Sequence, residues 1–350
     1  MHVQKTIKAK IFALTKTKEL LLSREYNNWQ ALIKSLCTNN PNCIDTYSEI
    51  ELYSATKQQA LRYCRKLKPK PNQPMIIRRD TINIQKRNTK LSKYWAKIPI
   101  YKHSIKVAIQ FPYNQEKLLK ESIRQAKLIK KKKGWFLYIT IKKEIKIKQS
   151  YSSILAIDLG EKVIATAVLS VNQKPIFYGK EIRGIRRHYA WLRKRLGNRK
   201  LLKVIKRIGH KEKRIVDDLL HKISHRLVEI AHQHNAVIVL GDLKGIRSSA
   251  KGKGKRFNRI ISNMPYYKLT QYIEYKANWL GIKVIKIPEK YTSITCSRCG
   301  SKGTRPHQGL FRCPSCGYQA NADFNGAKNI LKRSWEYISQ DGVAIDTTLN

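Results

Sequence analysis

The sequence predicts a multidomain α/β protein: a small β unit interrupted by helices, followed by a larger α/β domain that carries a cysteine-rich insertion. Three observations carry this reading. The runs Ile154-Leu155-Ala156-Ile157 and Ala236–Leu240 are continuously apolar, the pattern of strands buried on both faces. Long stretches with helical spacing separate them. Four of the seven cysteines fall between positions 296 and 316.

Residues 2–13 alternate like a first strand. Helical spacing marks 16–35 and 54–66, with Ser54 placed to cap the second helix. Lys68–Pro74 (KPKPNQP) breaks the pattern. Strand-like pieces follow (MIIRRDTINI, YWAKIPIY, SIKVAIQF), then a basic helix near 116–131 and the strand WFLYITIKKEIKI. The pattern changes at 149–153 (QSYSS). ILAIDLG, KVIATAVLS and KPIFYG read as three strands, and 184–234 as a very basic helical stretch broken near Gly197 and Gly209. AVIVLGDL is a further buried strand, and the Gly/Lys-rich segment 248–258 is expected to be a mobile loop. A helix stopped by Gly281, the strand IKVIKIPE, the cysteine window, an amphipathic helix from Ala322 to Ser339 and a loose tail after Gln340 complete the chain. No internal repeat is visible.

Composition narrows the partners. The 350 residues hold 72 Lys+Arg against 23 Asp+Glu, a formal charge of +49. Such a surplus repels itself in a compact particle unless a polyanion neutralises it, so nucleic acid is the expected partner, with binding that weakens steeply as salt rises. Aromatics interleave with the cations, notably Trp29, Trp95, Tyr189, Trp191 and Trp279. No window approaches 18 uncharged apolar residues, so no membrane span is predicted. The N-terminus lacks a signal-peptide pattern, and a cytoplasmic location in a prokaryotic cell is expected, nucleoid-associated when DNA is bound. Six Trp, 18 Tyr and seven Phe argue against disorder. Cys37, Cys43 and Cys64 are scattered, which argues against a disulfide scaffold and for a metal site in a reducing compartment.

Cys296-x2-Cys299 and Cys313-x2-Cys316 are each followed by glycine. Two-residue spacing lets one tight turn aim both thiolates at a tetrahedral metal, and glycine tolerates the positive φ of such a turn. Four thiolates leave no open position, so the ion predicted is a structural Zn²⁺. His221 and His225 sit four apart on a predicted helix but lack a third ligand, and packing or phosphate-facing roles suit them better.

Acids are scarce, so one at the end of an apolar strand stands out. Asp158 follows Ile154–Ile157 and should emerge at the carboxyl edge of a sheet, where ligands of α/β folds collect. Asp323 opens the last helix, where an acid can also serve merely to complement the helix dipole. Together on a basic protein the two suggest a two-Mg²⁺ phosphodiesterase site, which wants a third carboxylate.

DLGEKVIATAVL, RIVDDLLHKISHRLVEIA, VIVLGDLKGIR, YKANWLGIKV, KYTSITCSRCG and CPSCGYQANADFNGAKNI, in this order and spacing, resemble TnpB. That is the transposon-encoded, RNA-guided nuclease family from which type V CRISPR effectors derive. The likeness covers about 150–333, and the first 148 residues agree only in layout. It implies an RNase H-like (RuvC) nuclease domain over 149–290 and 320–340, with a zinc ribbon inserted at 291–319. It further implies a wedge-like β-barrel over 1–13 and 76–148, a helical recognition insertion at 14–75 and a flexible tail at 341–350. Guide RNA and double-stranded target DNA are the implied partners, on a protein expected to be a monomer with RNA. Arg183, Arg186, Arg187, Arg193, Lys194, Arg195 and Lys222 are the implied grip on the RNA–DNA heteroduplex, whose sequence is read by base pairing.

In the family an Asp, a Glu and an Asp are catalytic. Asp158 and Asp323 match the outer two, but the usual glutamate is replaced by Gly241. Three outcomes remain open. Asp242 substitutes, although strand alternation turns it away from residue 241; the site is dead; or Glu289, at the end of a neighbouring strand, reaches the same metal. The last resembles a subset of the family with a relocated glutamate and is favoured here. A dead site would leave an RNA-guided DNA-binding repressor. A third function, a DDE-type transposase using Asp158, Asp242 and Glu336, would give Asp323 and the cysteines no role.

Overall fold

The computed structural model describes residues 1–38, 49–66, 73–242, 254, 265–307 and 309–346. They form two units, His2–Glu144 and Met1 with Ile145 onward. The division falls ahead of the predicted 148/149 boundary because the Ile145 amide bonds to the Met1 carbonyl and the Lys148 amide to that of Gly281. Cys43, most of the breaker at 68–74 and nearly all of 248–258 lie outside the described residues.

The first unit comprises β1 (His2–Phe12), α1 (Lys16–Thr38), α2 (Ser54–Lys66), β2 (Met75–Arg78), β3 (Asn83–Lys86), β4 (Tyr94–Ile100), β5 (His103–Gln110), β6 (Ser122–Lys131) and β7 (Gly134–Glu144). Alternation builds it: Val3, Ile7, Ala9 and Ile11 of β1 are buried, and β1 pairs antiparallel with both β5 and β7. The seven strands are ordered β2-β6-β7-β1-β5-β4-β3. The edge strands β2 and β3 are consecutive in the chain, and the Thr81 and Ile82 amides fold the link between them onto the Arg78 carbonyl. A flat sheet of this size would hold its edges on the order of 30 Å apart, beyond what that link spans, so the sheet curls back on itself. On α1, Leu22, Trp29, Ile33 and Leu36 form the buried stripe, and the buried Glu25 carboxylate accepts from the Tyr53 and Tyr101 amides at 2.9 Å.

Two local expectations change here. The basic helix at 116–131 is a single 3-10 turn, Glu116–Lys120, followed by β6. Ala126 and Leu128 alternate into the core, and the long neighbour β7 supplies hydrogen bonds that outweigh the helical preference of a Lys-rich stretch. Ser54 is the first helical residue rather than the cap; the Thr56 and Lys57 amides donate to the Tyr53 carbonyl.

The second unit contains β8 (Ser150–Tyr151), β9 (Ser153–Asp158), β10 (Ala165–Leu169), β11 (Pro175–Tyr178), α3 (Lys180–Asn198), α4 (Leu202–Ile208), α5 (Lys211–Gln233), β12 (Ala236–Asp242), α6 (Tyr266–Trp279), β13 (Val284–Pro288), β14 (Thr304–His307), β15 (Leu310–Arg312), β16 (Gln319–Asn321), α7 (Ala322–Gln340) and β17 (Ala344–Ile345). Its main sheet runs β11-β10-β9-β12-β13. β9, β10 and β11 form an antiparallel meander, while β12 and β13 run parallel to β9. The carboxyl ends of β9, β12 and β13 therefore share one edge. Continuous burial of Ile154–Ile157 and Ala236–Leu240 follows from the helices packed on this sheet, with Leu220 and Leu227 of α5, Leu269 and Ile273 of α6, and Ala327 and Ile330 of α7 in the same core.

Residues 341–346 are not the loose tail expected. Ala344 and Ile345 add in parallel to Ser150 and Tyr151, and Val343 is buried. The strand edge offers carbonyls that the tail's amides would otherwise lack. No described helix is long and apolar enough to cross a membrane.

Candidate active site

Register alone brings three acids to one edge. Leu240 pairs with Ile157 and Gly241 with Ile287, so positions 158, 241 and 287 lie side by side on three adjacent strands. Side chains alternate, so Glu289, two residues beyond Ile287, falls on the same face as Asp158, and Asp242 on the other. The side chains obey this. A Cβ built on Gly241 would lie inside the Glu289 side chain, against its Oε1, Cδ and Cγ. Glu289 thus fills the volume that a side chain at 241 would use. Its Oε1 is buried with no hydrogen-bond partner among the described residues.

Asp323 arrives from α7. Asn321 caps that helix, its Oδ1 accepting from the Asp323 and Phe324 amides at 2.9 and 3.1 Å. One turn on, a Cβ at Gly326 would stand 2.9 Å from Asp158 Oδ2, so glycine lets the helix press onto the strand end. A Cβ at Gly160 would lie 3.9 Å from Asp323 Oδ1. Arg305 on β14 reaches Asp323 Oδ1 at 3.5 Å.

Burial raises the Asp158 pKa to about 7, reinforced by Asp323, and raises that of Glu289 to about 8, reinforced by Asp158 and Asp242. Asp323 is also raised by burial, though Arg305 and Lys162 oppose this. A carboxyl with a raised folded-state pKa stabilises below its unfolded value near 4 and loses that stability as pH rises through the folded one. In chelator-containing buffer, the melting temperature of the wild type should therefore fall between about pH 4 and 7 relative to Asp158→Asn, and level off above that. Asp158 is half-buried, so its share is at most about 3 kcal/mol; differential scanning calorimetry of both proteins checks this.

The four cysteines are gathered as the spacing predicted. Their Sγ atoms lie within 4.8 Å of one another, with Cys296–Cys316 at 3.7 Å and Cys299–Cys313 at 3.5 Å. Those lengths are near the roughly 3.8 Å edge of a tetrahedron of thiolates around a metal. Gly300 and Gly317 have φ of 81° and 71°, the left-handed turn each knuckle requires. The cluster could hold a metal ion, and among the described residues no other group brings three such ligand atoms that close. The three carboxylates are therefore more widely spread than the four thiols.

Sequence reasoning missed the clamp that joins these parts. On α7, Asn325 Oδ1 accepts from the Ser297 amide at 2.9 Å, and Asn329 Nδ2 donates to the Thr292 and Thr295 carbonyls at 2.7 Å. Arg333 donates to the Pro288 and Lys290 carbonyls at 2.6 and 3.1 Å, gripping both neighbours of Glu289. The signal was present: asparagine is disfavoured inside helices, so two on one face ask for buried partners. Asn329→Ala should cost about 1–3 kcal/mol in denaturant unfolding, because it strands the buried Thr292 carbonyl, while that of Thr295 keeps Asn325 Nδ2 at 2.8 Å.

The remaining candidates separate. Arg193 pairs with Glu212 at 2.5 Å, Lys222 with Asp218 at 2.8 Å and Arg183 with Glu161 at 3.3 Å. Arg186 is half-buried near Glu212 and Asp217. Arg195 lies over the Trp191 ring, and Arg187 and Lys194 are exposed. His221 stacks on Tyr272 with centroids 3.9 Å apart, a packing role rather than metal ligation. Glu336 is exposed ten residues beyond Gly326, about 15 Å along the helix from the contact with Asp158, so the transposase triad does not assemble.

Comparison with known proteins agrees with this layout. The Cas12f1-like, TNB domain family profile matches residues 266–330, which contain α6, Glu289, the cysteines and Asp323. The CRISPR-associated endodeoxyribonuclease Cas12f2 of a Micrarchaeota archaeon is 32% identical over 67% of this chain and 48% of its own length. A TnpB-like protein of Methanocaldococcus jannaschii is 31% identical over 57% of this chain and 74% of its own. The chain spans about half the length of the Cas12f relatives it matches. The solved AacC2c1–sgRNA–extended non-target DNA ternary complex aligns with a TM-score of 0.52 at 9% identity, covering 82% of this chain and 58% of that one, a likeness of fold alone. With most of the M. jannaschii protein spanned at this identity and a Cas12f1-like profile seated on Glu289, Asp323 and the cysteines, the chain belongs to the Cas12f/TnpB-like family.

Proposed function

We propose that the protein is an RNA-guided DNA endonuclease that hydrolyses phosphodiesters of a guide-matched target. The observation that carries the reading is the Glu289 side chain lying in the volume of the missing residue-241 side chain, beside Asp158, with one buried oxygen unpartnered. The meander plus two parallel strands is an RNase H-like (RuvC) arrangement, and the cysteine-bearing three-stranded sheet is read as a zinc ribbon closed around structural Zn²⁺.

The all-oxygen donor set of Asp158, Glu289 and Asp323 suits Mg²⁺, and raised carboxyl pKa values are what such acids show without a counter-cation. Two bound Mg²⁺ would supply Lewis acidity at the phosphate and a more acidic water. The protein's own contribution is placement. Strand register fixes Asp158 and Glu289, the Asn321 cap fixes Asp323, and Arg333 holds the Glu289 backbone from both sides. Relatives are named as endodeoxyribonucleases, which supports DNA as substrate. A charge of +49 supports a large nucleic-acid footprint.

The test is to purify the protein with its native flanking DNA co-expressed, sequence the bound RNA, and offer a DNA matching it. Mg²⁺-dependent cutting is expected. Tight binding of an intact target would instead support the repressor reading, and purification without RNA would overturn guidance altogether.

A further inference from the structure

A cavity of about 380 Å³ opens beside Asp323, and the chemistry proposed for the three carboxylates leaves it without a role. Lys162, Lys180, Arg183, Gly184 and Arg187 line it together with Asp323 itself. Four cations around one acid make the cavity strongly positive. Arg183 is partly neutralised by Glu161, and Lys180 rests over the Phe177 ring, 4.9 Å from its centroid. Arg187 is exposed and makes no ion pair with any described residue. Gly184, on the same face, leaves the wall open: nothing lies within 4 Å of where its Cβ would be.

The cavity is also the start of a path. Lys180, Gly184, Arg187, Trp191 and Lys194 follow one another at i, i+4, i+7, i+11 and i+14, which is one face of α3. Trp191 stays 53% exposed on that face even with Arg195 over its ring and His188 tilted against it at 6.2 Å, which leaves ring surface for a further partner. Cations alternating with an exposed ring are the means by which proteins hold single strands, through phosphates and stacked bases.

We propose that the cavity is a phosphate subsite for the DNA strand being cut, and that the α3 face leads that single strand to the carboxylates with Trp191 as a stacking platform. This rests on the nuclease reading. It separates Arg187 and Lys194 from the heteroduplex grip and adds Lys162 and Lys180, which the sequence did not single out.

The test uses RNA-loaded protein and single-turnover cleavage at saturating protein. Lys180→Ala/Arg187→Ala is expected to slow cutting 10- to 100-fold while target affinity, measured without divalent metal, stays within threefold. The slope of log rate against log salt should become shallower by about 1.4, some 0.7 for each single-strand phosphate that the variant no longer neutralises. Trp191→Ala should slow cutting about tenfold. A single methylphosphonate near the cut should slow the wild type but not slow the double variant further, since both changes remove the same interaction. Affinity falling in step with rate would overturn the proposal in favour of a heteroduplex grip, as would multiplying effects of methylphosphonate and substitution. If the wild type cuts and the double variant cuts equally well, the subsite alone fails. If the wild type does not cut, the nuclease reading fails and the subsite falls with it.

Discussion

Glu289→Ala is expected to reduce target cleavage by roughly 10³-fold or more while leaving RNA-guided target binding within a few fold. No other described acid can take its place. Gly241 has no side chain, and Asp242 alternates to the opposite face of β12. A companion experiment sharpens the result. Gly241→Ala in the wild-type background should inactivate as well and cost about 1–3 kcal/mol of stability, because its methyl group and the Glu289 side chain claim the same space. Combining Gly241→Glu with Glu289→Ala puts a carboxylate back on β12 after clearing that space, and should recover cleavage to at least tenfold above Glu289→Ala alone. Single-turnover rates for the three variants, with binding measured in parallel, check the prediction. Recovery to wild-type level is not required; failure to exceed Glu289→Ala would show that position 241 no longer points at the reacting phosphate.

Cys313→Ala should have the second largest effect. Cys313 is buried with Cys296, Phe311 and Ala322 in the small core of the cysteine-bearing sheet, whose last strand runs directly into Asn321 and α7. A bound metal contributes folding energy of many kcal/mol in sites of this kind, and three thiolates hold it far less well than four. Loss of the ion therefore frees the segment that caps α7 and positions Asp323. Cleavage should drop at least 100-fold, zinc content measured by plasma emission should fall below half an equivalent, and the melting temperature should decline by several degrees. Retained zinc with full activity would mean that the remaining thiolates suffice and that Asp323 is held by α7 packing alone.

Much of this architecture was legible because burial on both faces leaves a blunt mark. Ile154–Ile157 and Ala236–Leu240 could hardly be anything but central strands, and an acid after the first had to emerge at a sheet edge. Alternation also turns Asp242 away from the side that Gly241 leaves open, whereas Glu289 was suggested by its place at the end of a neighbouring strand and by family resemblance. Other features depend on partners that a linear reading cannot supply. β6 looked helical because its Lys-rich composition says little, whereas β7 beside it decides the matter. The pairing of β17 with β8 joins residues nearly two hundred positions apart. The Asn325, Asn329 and Arg333 grip recognises a backbone amide and backbone carbonyls, which carry no sequence signature.

Because carboxylates at 241 and 289 cannot coexist in one volume, ancestry is constrained as well as mechanism. A lineage that moved this acid from one strand to its neighbour would have had to clear this space of one side chain before the other could seat in it.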